Sequence, residues 1–228
     1  MINQINHHPD DALLMALAAG SLESGPALVL SAHVESCLRC QVRVSDYETV
    51  AGVLLEETEP AVLAPEALAE TLARLDAPPG KVAAAGKAVH RAEAAGGIRA
   101  TPPPGMVWPR SLQGCASTPW RWLGPGMRWS RLTLPHDPGA NVFMLRIGAG
   151  KCLPQHTHSD VELTQILYGS FHDGRALFGP GDFDEADGSI KHQPVVQPDG
   201  ECICIAAVSG KVKFDSAIAR WMGGLVGM

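Results

Sequence analysis

The amino-acid sequence predicts two domains of different class, an N-terminal all-α unit of four short helices and a C-terminal all-β barrel. Three observations carry that expectation. Apolar residues recur at helical spacing up to about residue 76, short strand-like apolar runs bounded by Gly and Pro follow residue 108, and an Ala/Pro/Gly stretch with no core-forming pattern separates the two. At 228 residues two compact units are the natural expectation, and an apolar fraction of 46% supplies enough material for their cores.

The helices follow in order. Asp10 and Asp11 open the first, whose apolar residues 12–19 stop at Gly20, because acidic side chains at a first turn accept its unpaired N–H groups. After Ser24-Gly25-Pro26 a second runs through Leu28 and Leu30 to about Val34. A third carries Val42, Val44, Tyr47, Val50, Val53, Leu54 and Leu55, with Asp46, Glu48, Glu56 and Glu57 between or after them. Residues 65–75 read as a fourth, with Pro65 at a first position where its missing N–H costs nothing. The domain boundaries expected are 1–77 for the helical unit, 78–105 for a flexible linker and 106–228 for the barrel. Strand candidates in the barrel include the alternating Trp120 and Trp122, the run 142–147 closed by Gly148 and Gly150, and residues 163–168 and 202–208. The tryptophans at 108, 120, 122, 129 and 221 are expected as barrel packing.

Charge is distributed unevenly. Residues 1–77 hold twelve acidic and three basic side chains, a formal −9, whereas the rest of the chain is +3. Such an acidic unit repels nucleic acid and suits a basic protein surface, although a well-solvated helical face would carry the same charge. No apolar run reaches the ~18 residues of a membrane span, and residues 1–11 lack the basic and apolar regions of a signal peptide. The expectation is a cytoplasmic protein. Six cysteines, at 37, 40, 115, 152, 202 and 204, are too sparse for a disulfide framework.

Two constellations carry metal chemistry. His33-x3-Cys37-x2-Cys40 places three ligand-type side chains on one face of a helix or of a helix with a loosened turn. Zinc takes four such ligands in a tetrahedron, and Cys2His2 is a closed structural set, so a fourth ligand is expected from His7 or His8, with His8 nearer the helix start. Two buried core cysteines or a redox pair are the alternatives for Cys-x-x-Cys alone. The second constellation is Gly150-x5-His156-x-His158-x3-Glu162-x6-Gly169, the complete first motif of a cupin barrel. Two histidines two apart on a strand both point inward, and Glu162 returns just past the turn. His192 is the expected third histidine, with His172 as competitor. Such a set accepts Zn2+ or another divalent metal such as Fe, Mn or Ni. Asp173, Asp182 and Asp184 read as turn or surface residues, and Cys202 and Cys204 as small core residues facing the same way.

The His33-Cys37-Cys40 spacing inside a short acidic helical unit, preceded by His7-His8-Pro9-Asp10-Asp11, resembles the zinc-binding anti-sigma domain of group IV (extracytoplasmic-function) sigma regulators. With the cupin motif, the Glu162-Leu163-Thr164 run, the Phe178-Gly179-Pro180-Gly181-Asp182 turn and the Cys202-Ile203-Cys204 strand, the whole chain is similar to the ChrR-type anti-sigma factors. The resemblance implies a helical fold that wedges between the main domains of a group IV sigma factor, contacts no nucleic acid directly, and lets go when singlet oxygen or organic peroxide acts, a response that needs the cupin half. Redox-sensing relatives use an upstream cysteine ligand; the histidine here points to a different signal. No catalytic residues are expected. A metal-dependent cupin enzyme, dioxygenase or isomerase, with an accessory zinc domain is the alternative, and a zinc-stabilised adaptor for another protein is a third reading.

Overall fold

A computed structural model of the chain describes residues 4–76, 97–210 and 212–214. The expected helices are α1 (Asp11–Ala18), α2 (Ser24–Val34), α3 (Leu38–Glu56) and α4 (Ala67–Asp76). Asp10 caps α1, its Oδ1 accepting the Leu13 N–H at 2.8 Å. Arg43 of α3 donates to both carboxylate oxygens of Asp11 and so ties α1 to α3.

The β half comprises β1 (Ala116–Ser117), β2 (Arg121–Gly124), β3 (Met127–Thr133), β4 (Val142–Ile147), β5 (His156–His158), β6 (Glu162–Tyr168), β7 (Phe171–His172), β8 (Leu177–Phe178), β9 (Phe183–Ala186), β10 (Val195–Val196), β11 (Cys202–Val208) and β12 (Val212–Phe214). Among the described residues, the largest sheet runs β1-β3-β4-β11-β6-β9 with β2 also on β3; β10-β7-β8 and β12-β5 form smaller sheets. All pairings are antiparallel.

The large sheet is covered on both faces, which explains why β11 and residues 142–145 of β4 are continuous apolar runs rather than alternating ones. Phe143, Leu145 and Ile147 of β4 with Cys202, Cys204 and Ala206 of β11 face Phe171, Phe178 and Val196 of the three-stranded sheet. The intervening Val142, Met144, Ile205 and Ala207 face the other way and pack with Val29 and Leu30 of α2. The helical half and the barrel therefore share a hydrophobic core. Gly25 permits the approach: a Cβ there would stand 3.0 Å from Val142 Cγ2 and 3.5 Å from Ala207 Cβ. Glu35 adds a polar seam, accepting from the backbone N–H groups of Arg110 and Ser111 at the start of a 3-10 turn.

Three details differ from the composition-based reading. Residues 97–105 were expected in a flexible linker, yet Ala100 is buried in the shared core, Ile98 packs against it, and Ser117 Oγ accepts from the N–H groups of Arg99 and Ala100. A segment with little apolar area can still be fixed when its backbone polar groups find partners. The remainder of that linker lies mostly outside the described residues, as does Trp221. Trp129 is a core residue and Trp108 and Trp120 flank the shared core, but Trp122 is 71% exposed, because β2 covers only one edge of β3 and this side chain points to solvent. Asp173 and Asp182 stand at turns, as expected, and Asp184 lies on β9, but all three are buried rather than at the surface.

Candidate metal centres

The first constellation converges. His33 stands in the last turn of α2, Cys37 is the N-cap of α3, and Cys40 lies in its first turn, so the break between the helices brings the three together. The segment before α1 supplies His8, not His7, whose ring packs against Phe178 at 4.5 Å between centroids. His33 Nε2 is 3.2 Å from Cys40 Sγ, and His8 Nδ1 is 3.3 Å from Cys37 Sγ and 3.6 Å from Cys40 Sγ. A tetrahedral zinc with bonds of about 2.0 Å to nitrogen and 2.3 Å to sulfur sets N–S edges of about 3.6 Å. The four ligand atoms lie within 4.8 Å of one another, so the cluster fits that ion. Burial raises the Cys40 thiol to about 12, with Cys37 adding to the shift, and burial lowers His8 and His33. Burial thus disfavours charge on these groups, and a bound cation would displace the Cys40 thiol proton while taking the imidazoles in their neutral form.

The second constellation converges inside the barrel. His156 and His158 occupy alternate positions of β5, Glu162 opens β6, and an isolated bridge places His192 opposite His156. Glu162 Oε2 is 3.0 Å from His158 Nε2, 3.8 Å from His192 Nε2 and 3.9 Å from His156 Nε2. The His192 Nε2 atom is 3.1 Å from that of His156 and 3.4 Å from that of His158. His156 donates its Nδ1–H to the Pro154 carbonyl at 2.8 Å, which leaves its Nε2 lone pair facing the cluster. Burial opposes ionisation of Glu162, but the imidazoles of His156 and His158 hold its carboxyl well below the usual range. Burial, reinforced by His156, lowers His192 to about 4. Four buried ligand-type atoms around one point, 3.0–3.9 Å apart in these pairs, suit a divalent cation. His172 is elsewhere: it is exposed, and its Nδ1 accepts the Gly174 N–H.

Behind this cluster stands an ionic layer that residue spacing did not reveal. Arg175 pairs with Asp184 at 2.7 Å and with Asp173 at 2.6 Å, and Asp173 Oδ2 is 3.7 Å from His192 Nδ1. Asp173 and Asp184 can join His192 in an acidic cluster, but the guanidinium already occupies the cation's role there. Asp182 does something different: its Oδ1 accepts the N–H groups of Asn6 and His7 at 2.7 and 2.9 Å, fixing the segment that carries His8 onto the barrel. Cys202 and Cys204 are buried on β11, and burial raises the Cys202 thiol to about 12. No described helix is long and apolar enough to cross a membrane.

Residues 110–211 match the family described as the ChrR Cupin-like domain. The chain is 36% identical over 216 residues to the anti-sigma-E factor ChrR of Cereibacter sphaeroides, covering 95% of each protein. Its fold superposes with a TM-score of 0.70 on a chain of the crystal structure of Rhodobacter sphaeroides SigE in complex with the anti-sigma ChrR, at 32% identity over 90% of this chain and 100% of that one. A likeness that runs through the helical and cupin halves alike establishes that the chain belongs to the ChrR family of anti-sigma factors.

Proposed function

We propose that this chain binds and inhibits a group IV sigma factor in the cytoplasm and releases it under oxidative stress such as singlet oxygen or organic peroxide. One observation carries the reading: the likeness covers nearly the whole length of an anti-sigma factor whose relative was crystallised with its sigma partner. The protein acts as a regulator rather than as an enzyme. A partner surface is available, since Leu54 and Leu55 of α3 and Leu68 and Leu72 of α4 are each more than half exposed, as are Val50 and Val53. An apolar row of that extent on an acidic helical unit suits a protein partner with apolar pockets and basic surroundings.

In this reading residues 1–77 inhibit and residues 106–228 sense. His8, His33, Cys37 and Cys40 hold a structural zinc that pins the start of α1 to the α2–α3 junction. His156, His158, Glu162 and His192 hold a second divalent metal, Zn2+ or Fe, Mn or Ni, which supplies a Lewis-acidic centre when bound. Hydrogen bonds at the Nδ1 atoms of His33 and His156 leave the Nε2 of each to face its cluster.

The test uses the full chain, because a helical fragment alone would expose Val29 and Leu30. Purified protein is mixed with a group IV sigma factor of the same genome, with and without a zinc chelator, and separated by size. A 1:1 complex lost on chelation supports the proposal. No complex under either condition overturns it.

A further inference from the structure

We propose that Gln165, a residue of the barrel, is the positioning residue of the helical metal site, and that β6 thereby connects the two donor sets. The proposal rests on the reading of His8, His33, Cys37 and Cys40 as a zinc centre.

His33 presents Nε2 to the thiols, so its Nδ1 must carry the proton and find an acceptor. Both acceptors come from the other half of the molecule: Gln165 Oε1 at 3.0 Å and the Gly181 carbonyl at 2.9 Å. Two oxygens at Nδ1 fix the tautomer and leave the Nε2 lone pair directed at the site. Gln165 is itself locked. It is 1% exposed, and its Nε2–H donates to the Ile166 carbonyl at 3.1 Å. Turning the amide over would set N–H against N–H at His33 and oxygen against oxygen at Ile166, so only one orientation satisfies both neighbours.

The strand explains the connection. Along β6, Leu163, Gln165 and Leu167 face α2 and the shared core, while Glu162 and Ile166 face the barrel interior. Glu162 and Gln165 are three residues apart on a strand held on both sides by β11 and β9, a span of about 10 Å. Rearrangement of the four barrel donors that shifts Glu162 along its strand moves the acceptor on which His33 depends. The Gly181 carbonyl belongs to the turn that ends in Asp182, which holds the backbone of Asn6 and His7 beside His8. Two of the four ligands of the helical site are thus braced by the barrel.

The experiment uses full-length, zinc-loaded protein with Gln165→Met, which keeps bulk and removes the acceptor, and Gln165→Glu, whose protonated carboxyl keeps an acceptor oxygen for His33 and an O–H for the Ile166 carbonyl. Alkylation of Cys37 and Cys40, followed by mass spectrometry of their peptide, reads zinc loss at that site alone. Gln165→Met should speed it about tenfold, the low end for an outer-shell partner because the Gly181 carbonyl remains. Gln165→Glu should restore protection, with barrel metal content unchanged in both. In parallel, the ring-nitrogen NMR signals of His33 should shift when Glu162→Ala empties the barrel, and should not shift in the Gln165→Met background. Wild-type protection in Gln165→Met, or a His33 signal indifferent to the barrel, overturns the proposal. Thiols that are unprotected in the wild-type chain would instead overturn the zinc reading beneath it.

Discussion

The helical donor set gathers two imidazoles and two thiols from a pre-helical segment and a helix junction, whereas the barrel set gathers three imidazoles and a carboxylate from two strands and a bridged loop. Each of the strand-borne ligands is held by a ladder that would persist without an ion. The helical set has a smaller cluster around it, Leu14, Cys37 and Cys40 packing with Ile5, Val34, Val44 and Tyr47, and its His33 leans on Gln165 and Gly181 of the barrel. Thiolates also form a closed tetrahedron, while a His3Glu set leaves coordination positions free. The difference teaches that one ion would be a structural member and the other a resident of a preformed room.

The largest expected effect breaks the first of these. Cys37→Ser or Cys40→Ser should abolish zinc binding at the helical site and with it sigma capture, giving constitutive transcription of the sigma-dependent genes, while barrel metal content stays at wild-type level. Capture that survives either substitution would show that the zinc is not structural. Next comes the room without its resident. Glu162→Ala or His156→Ala should empty the barrel site, leave sigma capture intact in a pull-down and blunt release on oxidant challenge; the reverse pattern would dissolve the division of labour.

A smaller effect sharpens the link between the halves. Leu30 is fully buried in the core shared by α2 and the sheet. Leu30→Ala should cost about 2–5 kcal/mol and lower the melting of both halves together in calorimetry. Separate transitions would mean that the halves fold independently. The gentlest perturbation is pH. A Cys40 thiol raised to about 12 is protonated at neutrality, so a metal must expel its proton, and affinity should rise about tenfold per pH unit for each proton displaced. At the barrel the same burial lowers His192 to about 4, so that ring has no proton to lose above pH 5. Metal titrations at pH 6, 7 and 8 should therefore show the steeper slope at the helical site.

Much of this architecture was legible in residue order because its signals are local. Asp10 before an apolar run, Gly20 after it, and the apolar stretches 142–145 and 202–208 are decided within a few residues. The ligand types were legible for the same reason, since His-x-His on a strand and His-x3-Cys-x2-Cys across a helix junction are spacings that backbone geometry enforces. Asp173 and Asp182 stand at turns as their residue type suggests, but their burial, and the place of Asp184 on β9, were not legible in residue order. Burial of Asp173 and Asp184 depends on Arg175 reaching both, and burial of Asp182 depends on backbone N–H groups some 175 residues away.

Residue order alone sets the class of each half, the membership of the two clusters of ligand-type side chains and the family. The tertiary structure adds that the halves share a core through Val29 and Leu30, that residues 98–100 join that core and bond to Ser117, and that the Nδ1 of His33 meets Gln165 and Gly181. Periodicity and spacing report what a segment does to its own neighbours. The partner of a buried N–H, or of the second face of a sheet, is chosen by whichever distant surface excludes water from it, and nothing in residue order encodes that distance.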